Sequence, residues 1–282
     1  MTALLQARFS VDYPNKPGVL RDVALEIGER EIVGLVGESG SGKSTIALAL
    51  LQLLDHKGGR VRGEVCFNGR DLLKLPQREM RRIRGRDIAL VLQSPLASLN
   101  PALRIGSQLA EAWRAHDPEA DLWKTRALEL FDLVSLPTDE GFFRRYPRQL
   151  SVGQAQRVLI AMAILHRPRL LIADEATSAL DAVTQSETLD LFRRLNRELG
   201  MAMLFISHDL LAVASLCSRI SILRDGHIAE SGSTADMFRS PRTEDTRALL
   251  EAVLRNTSAA SEILNDHAGS VLSMPLPRSR AR

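Results

Sequence analysis

Cysteine and aromatic residues are scarce in this chain of 282 residues. It has two cysteines, and only 4% of its residues are aromatic. Cys66 and Cys217 lie far apart and match no metal-ligand spacing, so we interpret both as free thiols in a reducing compartment. The sequence therefore predicts neither a disulfide framework nor a cysteine-based metal centre.

Long apolar runs are also missing, and the net charge is small. The densest runs, such as residues 158–165, are far shorter than the roughly 20 residues that span a bilayer. Residues 1–9 lack a basic start followed by an apolar stretch, so no signal peptide is expected. The formal charge of +3 is too slight to indicate nucleic-acid binding. We therefore expect a protein that is soluble on its own and reaches a membrane only through a partner.

The pattern of strands and helices predicts an α/β fold. Residues 4–27 alternate loosely between apolar and polar side chains, which is typical of an antiparallel strand pair. Residues 102–165 show helical spacing without strand signals and are interpreted as a helical insert. From Arg169 onward strands and helices alternate, which predicts a parallel sheet with helices on both faces.

The domain organisation follows from the same pattern. We expect one domain over residues 1–256, with the helical insert at about residues 95–165. Residues 257–282 turn to Ser, Ala, Pro and Arg, and we expect a mobile C-terminal tail there.

A glycine-rich loop at residues 37–45 is the strongest functional signal. It reads G-E-S-G-S-G-K-S-T, which satisfies the phosphate-binding pattern G-x-x-x-x-G-K-[ST]. An apolar strand precedes it and an apolar helix follows, which favours nucleotide binding over a flexible turn. Lys43 would reach the β- and γ-phosphates of a bound nucleotide, and the Ser44 hydroxyl would bind Mg²⁺. The candidate nucleotide-binding residues are Gly37, Glu38, Ser39, Gly40, Ser41, Gly42, Lys43, Ser44 and Thr45.

Three further features are weak signals when taken singly. Asp174 and Glu175 end an apolar strand, where Asp174 could bind Mg²⁺ opposite Ser44 and Glu175 could polarise water. A helix N-terminal acid would explain the same pair. Ser151 could cap a helix over residues 155–166, creating an anion site or only a capped helix. His208 follows a strand and could be structural or catalytic.

In order and spacing, these features resemble the nucleotide-binding subunits of ABC transporters. The resemblance covers roughly residues 4–255 and implies a P-loop NTPase (RecA-like) core with an antiparallel β-subdomain and a helical insert. The loop then matches Walker A, residues 172–175 match Walker B with its catalytic glutamate, and residues 178–181 match the D-loop. The resemblance adds the following assignments: Gln93 as the Q-loop glutamine that contacts Mg²⁺, His208 as the switch histidine, Tyr13 as the adenine-stacking ring, and Ser151, Gly153 and Gln154 as signature residues that bind nucleotide.

Two positions depart from the family pattern. Val152 stands where the signature usually has Gly, and Ala176 stands where Pro usually follows the catalytic glutamate. Neither removes a phosphate donor or a carboxylate, so we expect catalysis to survive.

A finer resemblance concerns the dipeptide, oligopeptide and nickel importer ATPases. Residues 94–101 (S-P-L-A-S-L-N-P) are similar to the run that follows the Q-loop glutamine in that subfamily. Residues 241–253 resemble its C-terminal tract. Peptide-importing members often carry cysteines near that tract, but this chain has none there, so no iron–sulfur centre is implied.

The resemblance implies a Mg²⁺-dependent ATPase that powers solute import. Expected partners are a second ABC ATPase, two integral membrane permease subunits and, indirectly, a solute-binding protein; no nucleic acid is expected. A heterodimer of ATPases is expected and a homodimer is possible, at the cytoplasmic face of the inner membrane. The solute is left open among peptides, nickel, opines and sugar-derived compounds.

Two alternative functions are weighed against transport. A soluble ABC ATPase acting on DNA or ribosomes would usually have two nucleotide domains or a long coiled-coil insert, and this chain shows one Walker A motif and no sustained heptad run. A GTPase would need the base-reading Asn/Thr-Lys-x-Asp motif, which is absent from the sequence.

Overall fold

The computed structural model describes residues 3–118 and 122–255, which form two β-sheets and their surrounding helices. The strands are β1 (Ala3–Tyr13), β2 (Lys16–Gly28), β3 (Ile32–Gly37), β4 (Arg60–Phe67), β5 (Arg70–Asp71), β6 (Ile88–Val91), β7 (Leu170–Asp174), β8 (Ala202–Ser207), β9 (Arg219–Arg224) and β10 (His227–Ser233). The helices are α1 (Lys43–Leu50), α2 (Gln77–Ile83), α3 (Pro95–Ser98), α4 (Ile105–Arg114), α5 (Trp123–Leu133), α6 (Glu140–Phe143), α7 (Val152–Ala163), α8 (Ala182–Leu199), α9 (Leu210–Leu216), α10 (Thr234–Arg239) and α11 (Glu244–Arg255). The tail predicted at residues 257–282 lies outside the described residues.

The N-terminal strands form the predicted antiparallel sheet, in the order β2-β1-β4-β5. Leu5 lies opposite Ile27 and Phe9 opposite Val23, and all four side chains are buried. Alternate residues of a strand share one face, so the loose alternation of residues 4–27 becomes one apolar face. The turn between β4 and β5 has φ of +50° at Asn68 and a positive φ at Gly69 as well, as a two-residue hairpin turn requires.

The second sheet has six strands in the order β10-β9-β3-β8-β7-β6. β10 pairs antiparallel with β9 across a hairpin turn at Asp225-Gly226, and the other neighbours are parallel. The parallel arrangement places the carboxyl ends of β3, β7 and β8 side by side. These ends carry the glycine loop, the carboxylate pair and His208.

The two faces of this sheet belong to two different cores. In β7, Leu170 and Ile172 join one core, while Leu171 and Ala173 join the other. The core that includes Leu171 and Ala173 also contains residues of α8, α9 and the insert helices. The core that includes Leu170 and Ile172 contains residues of α1 and α2 together with the antiparallel sheet. Helices therefore pack on both faces of the parallel sheet, as predicted. The antiparallel sheet shares one face with α1 and α2, because its own apolar face also has to be buried.

The chain between β6 and β7 contains the helices α3 to α7 and no strand among its described residues. Its core is built on aromatic rings: Phe131 stacks on Phe143 with 4.9 Å between ring centroids and meets Phe142 edge-on at 5.5 Å. The fold class, a P-loop core with an antiparallel β-subdomain and a helical insert, is confirmed. Within residues 3–118 and 122–255, no helix combines the length and the apolar character needed to cross a membrane.

Candidate functional site

The glycine loop connects the end of β3 to the start of α1. Gly42 precedes the helix with φ of +108°, in the left-handed region that favours glycine. A Cβ atom at Gly42 would also lie 2.7 Å from Cδ2 of Leu20, so a larger residue would require the Leu20 side chain to shift. The loop can therefore present its backbone N–H groups and the helix N-terminus to an anion.

Lys43 is the first residue of α1 and is almost fully buried, with 6% of the residue exposed. Its Nζ atom donates hydrogen bonds to the carbonyl oxygens of Gly37, at 2.8 Å, and Glu38, at 3.0 Å. The same atom lies 3.4 Å from Oε1 of Glu175. The ammonium group is thus held between the loop and the carboxylate pair.

Glu175 follows β7 with an unusual backbone conformation. Its φ is +52°, which is uncommon for a residue other than glycine, asparagine or aspartate. Its N–H donates to the carbonyl oxygen of Ile206 at 2.9 Å, which ties this backbone to β8. Oε2 of Glu175 lies 2.7 Å from Nδ1 of His208, within hydrogen-bond distance. Strained backbone of this kind often accompanies functional sites, and here it brings a carboxylate, an ammonium and an imidazole together.

Two observations are consistent with Asp174 as a metal ligand. Its Oδ1 atom is buried and has no hydrogen-bond partner among the described residues. Burial raises the pKa of Asp174, and the charge of Glu175 raises it further, while the Ser44 hydroxyl and Lys43 lower it; the net shift is upward. A buried carboxylate oxygen beside a hydroxyl is a donor set that Mg²⁺ accepts. Ser44 and Asp174 could therefore hold this cation, with the exposed Gln93 at the same cleft.

Most of the predicted residues surround one cleft of about 760 Å³. It is lined by Tyr13, Lys16, Val19, Glu38, Ser39, Gly40, Gly42, Lys43, Ser44, Thr45, Gln93, Glu175 and His208. Gly37 and Ser41 face a neighbouring cavity instead. Lys16 and Val19 were not predicted. Both belong to β2, the strand that follows Tyr13, and proximity to that aromatic residue is the only sequence signal for them.

The sequence pattern of the ABC transporter family matches residues 20–178, more than half of the chain. This chain belongs to the ABC transporter family. Among curated ABC relatives, the dipeptide transport ATP-binding protein DppD of Haemophilus influenzae is 42% identical over 232 residues, 82% of this chain and 70% of that protein. The oligopeptide transport ATP-binding protein OppD of Bacillus subtilis is 37% identical over 254 residues, 89% of this chain and 71% of that protein.

Two further similarities support the same assignment. The glutathione import ATP-binding protein GsiA of Pectobacterium atrosepticum is 42% identical over 242 residues, but the chain covers 39% of that longer protein. The ATP-binding cassette MJ0796, solved as a dimer in a post-hydrolysis state with ADP and Pi, superposes with a TM-score of 0.69 and 29% identity, covering 83% of this chain and 99% of that one. The chain is an ATP-binding and ATP-hydrolysing subunit that powers solute import, and the relatives favour this function over the soluble ABC ATPase.

The residues predicted to form the ABC signature do not line this cleft. Ser151 is the N-cap of α7: its Oγ accepts from the N–H of Gln154 at 3.1 Å, and Oε1 of Gln154 accepts from the N–H of Ser151 at 3.2 Å. The helix begins at Val152 and not at residue 155 as predicted, because this reciprocal capping box closes the first turn. Ser151, Gly153 and Gln154 do not line the cleft around Lys43, and Val152 is 41% exposed.

Tyr13 supplies the aromatic surface of the cleft. Its ring packs on the backbone of Gly59, where a Cβ atom would lie 3.1 Å from Cε1 of Tyr13.

We predict that Tyr13→Ala weakens ATP binding by about 1–3 kcal/mol, the scale of base–aromatic stacking. Tyr13→Phe should leave the dissociation constant nearly unchanged, because stacking uses the ring face. Isothermal titration with ATP measures both, and equal affinities for Tyr13→Ala and wild type would reject the stacking role.

Proposed function

We propose that this chain is the ATPase subunit of an ABC importer for peptides or related small solutes, bound peripherally at the cytoplasmic face of the inner membrane. The observation that carries the proposed chemistry is the contact of Glu175 with both Lys43 and His208 at the glycine loop. The dipeptide, oligopeptide and glutathione relatives support a peptide solute. None of these relatives is named for nickel, the other solute of the subfamily.

ATP would bind with its phosphates in the glycine loop and its adenine on Tyr13. Residues 37–45 would donate N–H groups to the phosphate oxygens, and Lys43 would turn its ammonium from the loop carbonyls toward the β- and γ-phosphates. Ser44, Asp174 and Gln93 would hold Mg²⁺, which supplies charge neutralisation on the phosphates. The buried Oδ1 of Asp174 would then gain a partner.

Hydrolysis would use Glu175 as the general base. Its carboxylate would accept a proton from the attacking water, and His208, in contact with Oε2, would position the carboxylate and the γ-phosphate. The contact of Glu175 N–H with Ile206 holds the backbone of the base against β8. Glu175 would thus act as the base at the junction of three strand ends.

The second half of the site would come from another ATPase. Ser151, Gly153 and Gln154 lie outside the cleft of their own chain, which suits a head-to-tail dimer in which each signature faces the partner's Walker A. The dimeric state of MJ0796 supports such a pair. We propose a heterodimer, with a homodimer as the chemical alternative. The site closed by the Val152-bearing signature would then differ from the other and could be slower.

We predict that the chain purified alone is mostly monomeric and hydrolyses ATP slowly. Adding the second ATPase and the two permease subunits should raise the rate, because only then are both halves of each site present. Light scattering gives the oligomeric state and phosphate release gives the rate.

The solute is tested separately. In proteoliposomes that contain the whole transporter, a binding protein loaded with peptide should stimulate ATP hydrolysis, and a binding protein loaded with nickel should not.

Two results would contradict this arrangement. One is a tight homodimer with full, unstimulated activity. The other is a transporter complex that contains this ATPase alone beside its membrane subunits.

A further inference from the structure

The tract of residues 241–253 forms a short turn and most of helix α11, and it has no part in the chemistry described above. We propose that α11 positions the phosphate-binding loop, and that Glu230, Arg224 and Asp245 are positioning residues for ATP binding. This inference rests on the proposed function, because it takes the glycine loop as the ATP site. According to this proposal, a short series of contacts connects α11, at the end of the described chain, to the glycine loop.

Glu230 fixes the start of α11 to β10. Only 9% of this residue is exposed, and its carboxylate accepts hydrogen bonds from the N–H groups of Arg242 and Thr243 at 3.0–3.1 Å. The Thr243 hydroxyl donates to it at 3.2 Å. Burial raises the pKa of Glu230, but these hydrogen bonds and one from Thr246 outweigh burial and hold the pKa below its ordinary value. The anchor is therefore a buried, charged carboxylate bound to the turn before the helix.

Asp245, in the first turn of α11, connects the helix to β9. Its Oδ1 lies 2.9 Å from Nη1 of Arg224, and both side chains are a little over two-fifths exposed. Arg224 follows Leu223, which pairs with Gly37 in the parallel register of β9 and β3. The carbonyl oxygen of Gly37 in turn accepts the 2.8 Å hydrogen bond from Lys43. Three consecutive contacts thus join α11 to the phosphate-binding lysine.

The contact between β9 and the loop leaves little room for adjustment. A Cβ atom on Gly37 would lie 2.5 Å from the carbonyl oxygen of Leu223, so the first residue of the loop follows the position of β9 closely. A cavity of about 350 Å³ lies beside this contact, lined on one side by Asp245 and Leu249 of α11 and on another by residues 37–41. Without α11, the free loop would sample more conformations, and ATP binding would have to order it at a cost in affinity.

The test compares ATP affinities of the full-length chain and its variants. Asp245→Asn should raise the dissociation constant for ATP about two- to fivefold, the scale of a partly exposed ion pair. Arg224→Asp should weaken binding further, because two carboxylates then face each other. The exchanged pair, Arg224→Asp with Asp245→Arg, should return the dissociation constant to within about twofold of wild type, since it restores the ion pair. Glu230→Gln should also weaken binding.

The matched control is Asp190→Asn, which breaks the exposed pair of Asp190 with Arg193 within α8. It should leave ATP affinity unchanged, and its thermal unfolding midpoint provides the reference for Asp245→Asn. The inference is overturned if Asp245→Asn binds ATP like wild type, or if the exchanged pair binds as weakly as Arg224→Asp. Should the exchanged pair not fold, Asp245→Asn decides alone. If wild type itself fails to bind ATP, the proposed function is wrong instead.

Discussion

Replacing Glu175 by glutamine is expected to slow ATP hydrolysis by about 10²–10⁴-fold, the contribution typical of a general base. Glutamine keeps the size of the side chain, and its amide oxygen can still face Nδ1 of His208, now 2.7 Å from Oε2 of Glu175. It cannot take the proton of the attacking water. ATP binding should persist, because the loop and Lys43 are unchanged.

The measurement has two parts. Phosphate release gives the rate, and light scattering in the presence of ATP shows whether the variant accumulates as a closed dimer with its partner ATPase. Glu198→Gln, an exposed change of the same type on α8, should match wild type in both. Wild-type hydrolysis by Glu175→Gln would show that another group acts as the base.

The local parts of the site were predictable from the sequence because their residues are contiguous. The strand, loop and helix around Lys43 lie within residues 31–51, and the spacing of the glycines and the lysine predicts the conformation of the loop. The contact between Glu175 and His208 joins residues 33 apart and was not predicted; the resemblance to ABC subunits only assigned each residue a role. Parallel pairing of β7 with β8 is the physical cause that brings these strand ends together.

Other features depend on tertiary packing that periodicity does not report. Residues 4–27 show an apolar alternation, but this alternation does not indicate which surface will cover the apolar face. The sequence therefore did not predict that α1, α2 and the antiparallel sheet share one face of the parallel sheet. The positive φ of Glu175 also has no local signal. The start of α7 was predictable: Ser151 and Gln154 stand three residues apart, the spacing of a capping box.

Lys43→Ala is expected to have the second large effect, a loss of ATP affinity of about 1.5–3 kcal/mol, the range for a hydrogen bond to a charged group. This change removes the buried ammonium that lies between the carbonyls of the loop and Oε1 of Glu175. The ATP phosphates would lose their one direct lysine contact from the loop, while the loop N–H groups remain. Hydrolysis should fall as well, because the carboxylate of Glu175 loses the cation beside it.

Titration with ATP measures this affinity, and Lys57→Ala, an exposed lysine outside the cleft, serves as the control. Lys43→Ala and Glu175→Gln should differ in kind: the first weakens binding, whereas the second binds and does not hydrolyse. This difference separates the phosphate contact of Lys43 from the proton transfer to Glu175, although Nζ of Lys43 lies only 3.4 Å from Oε1 of Glu175. If Lys43→Ala binds ATP as tightly as Lys57→Ala, the buried ammonium serves the fold of the loop and not the nucleotide.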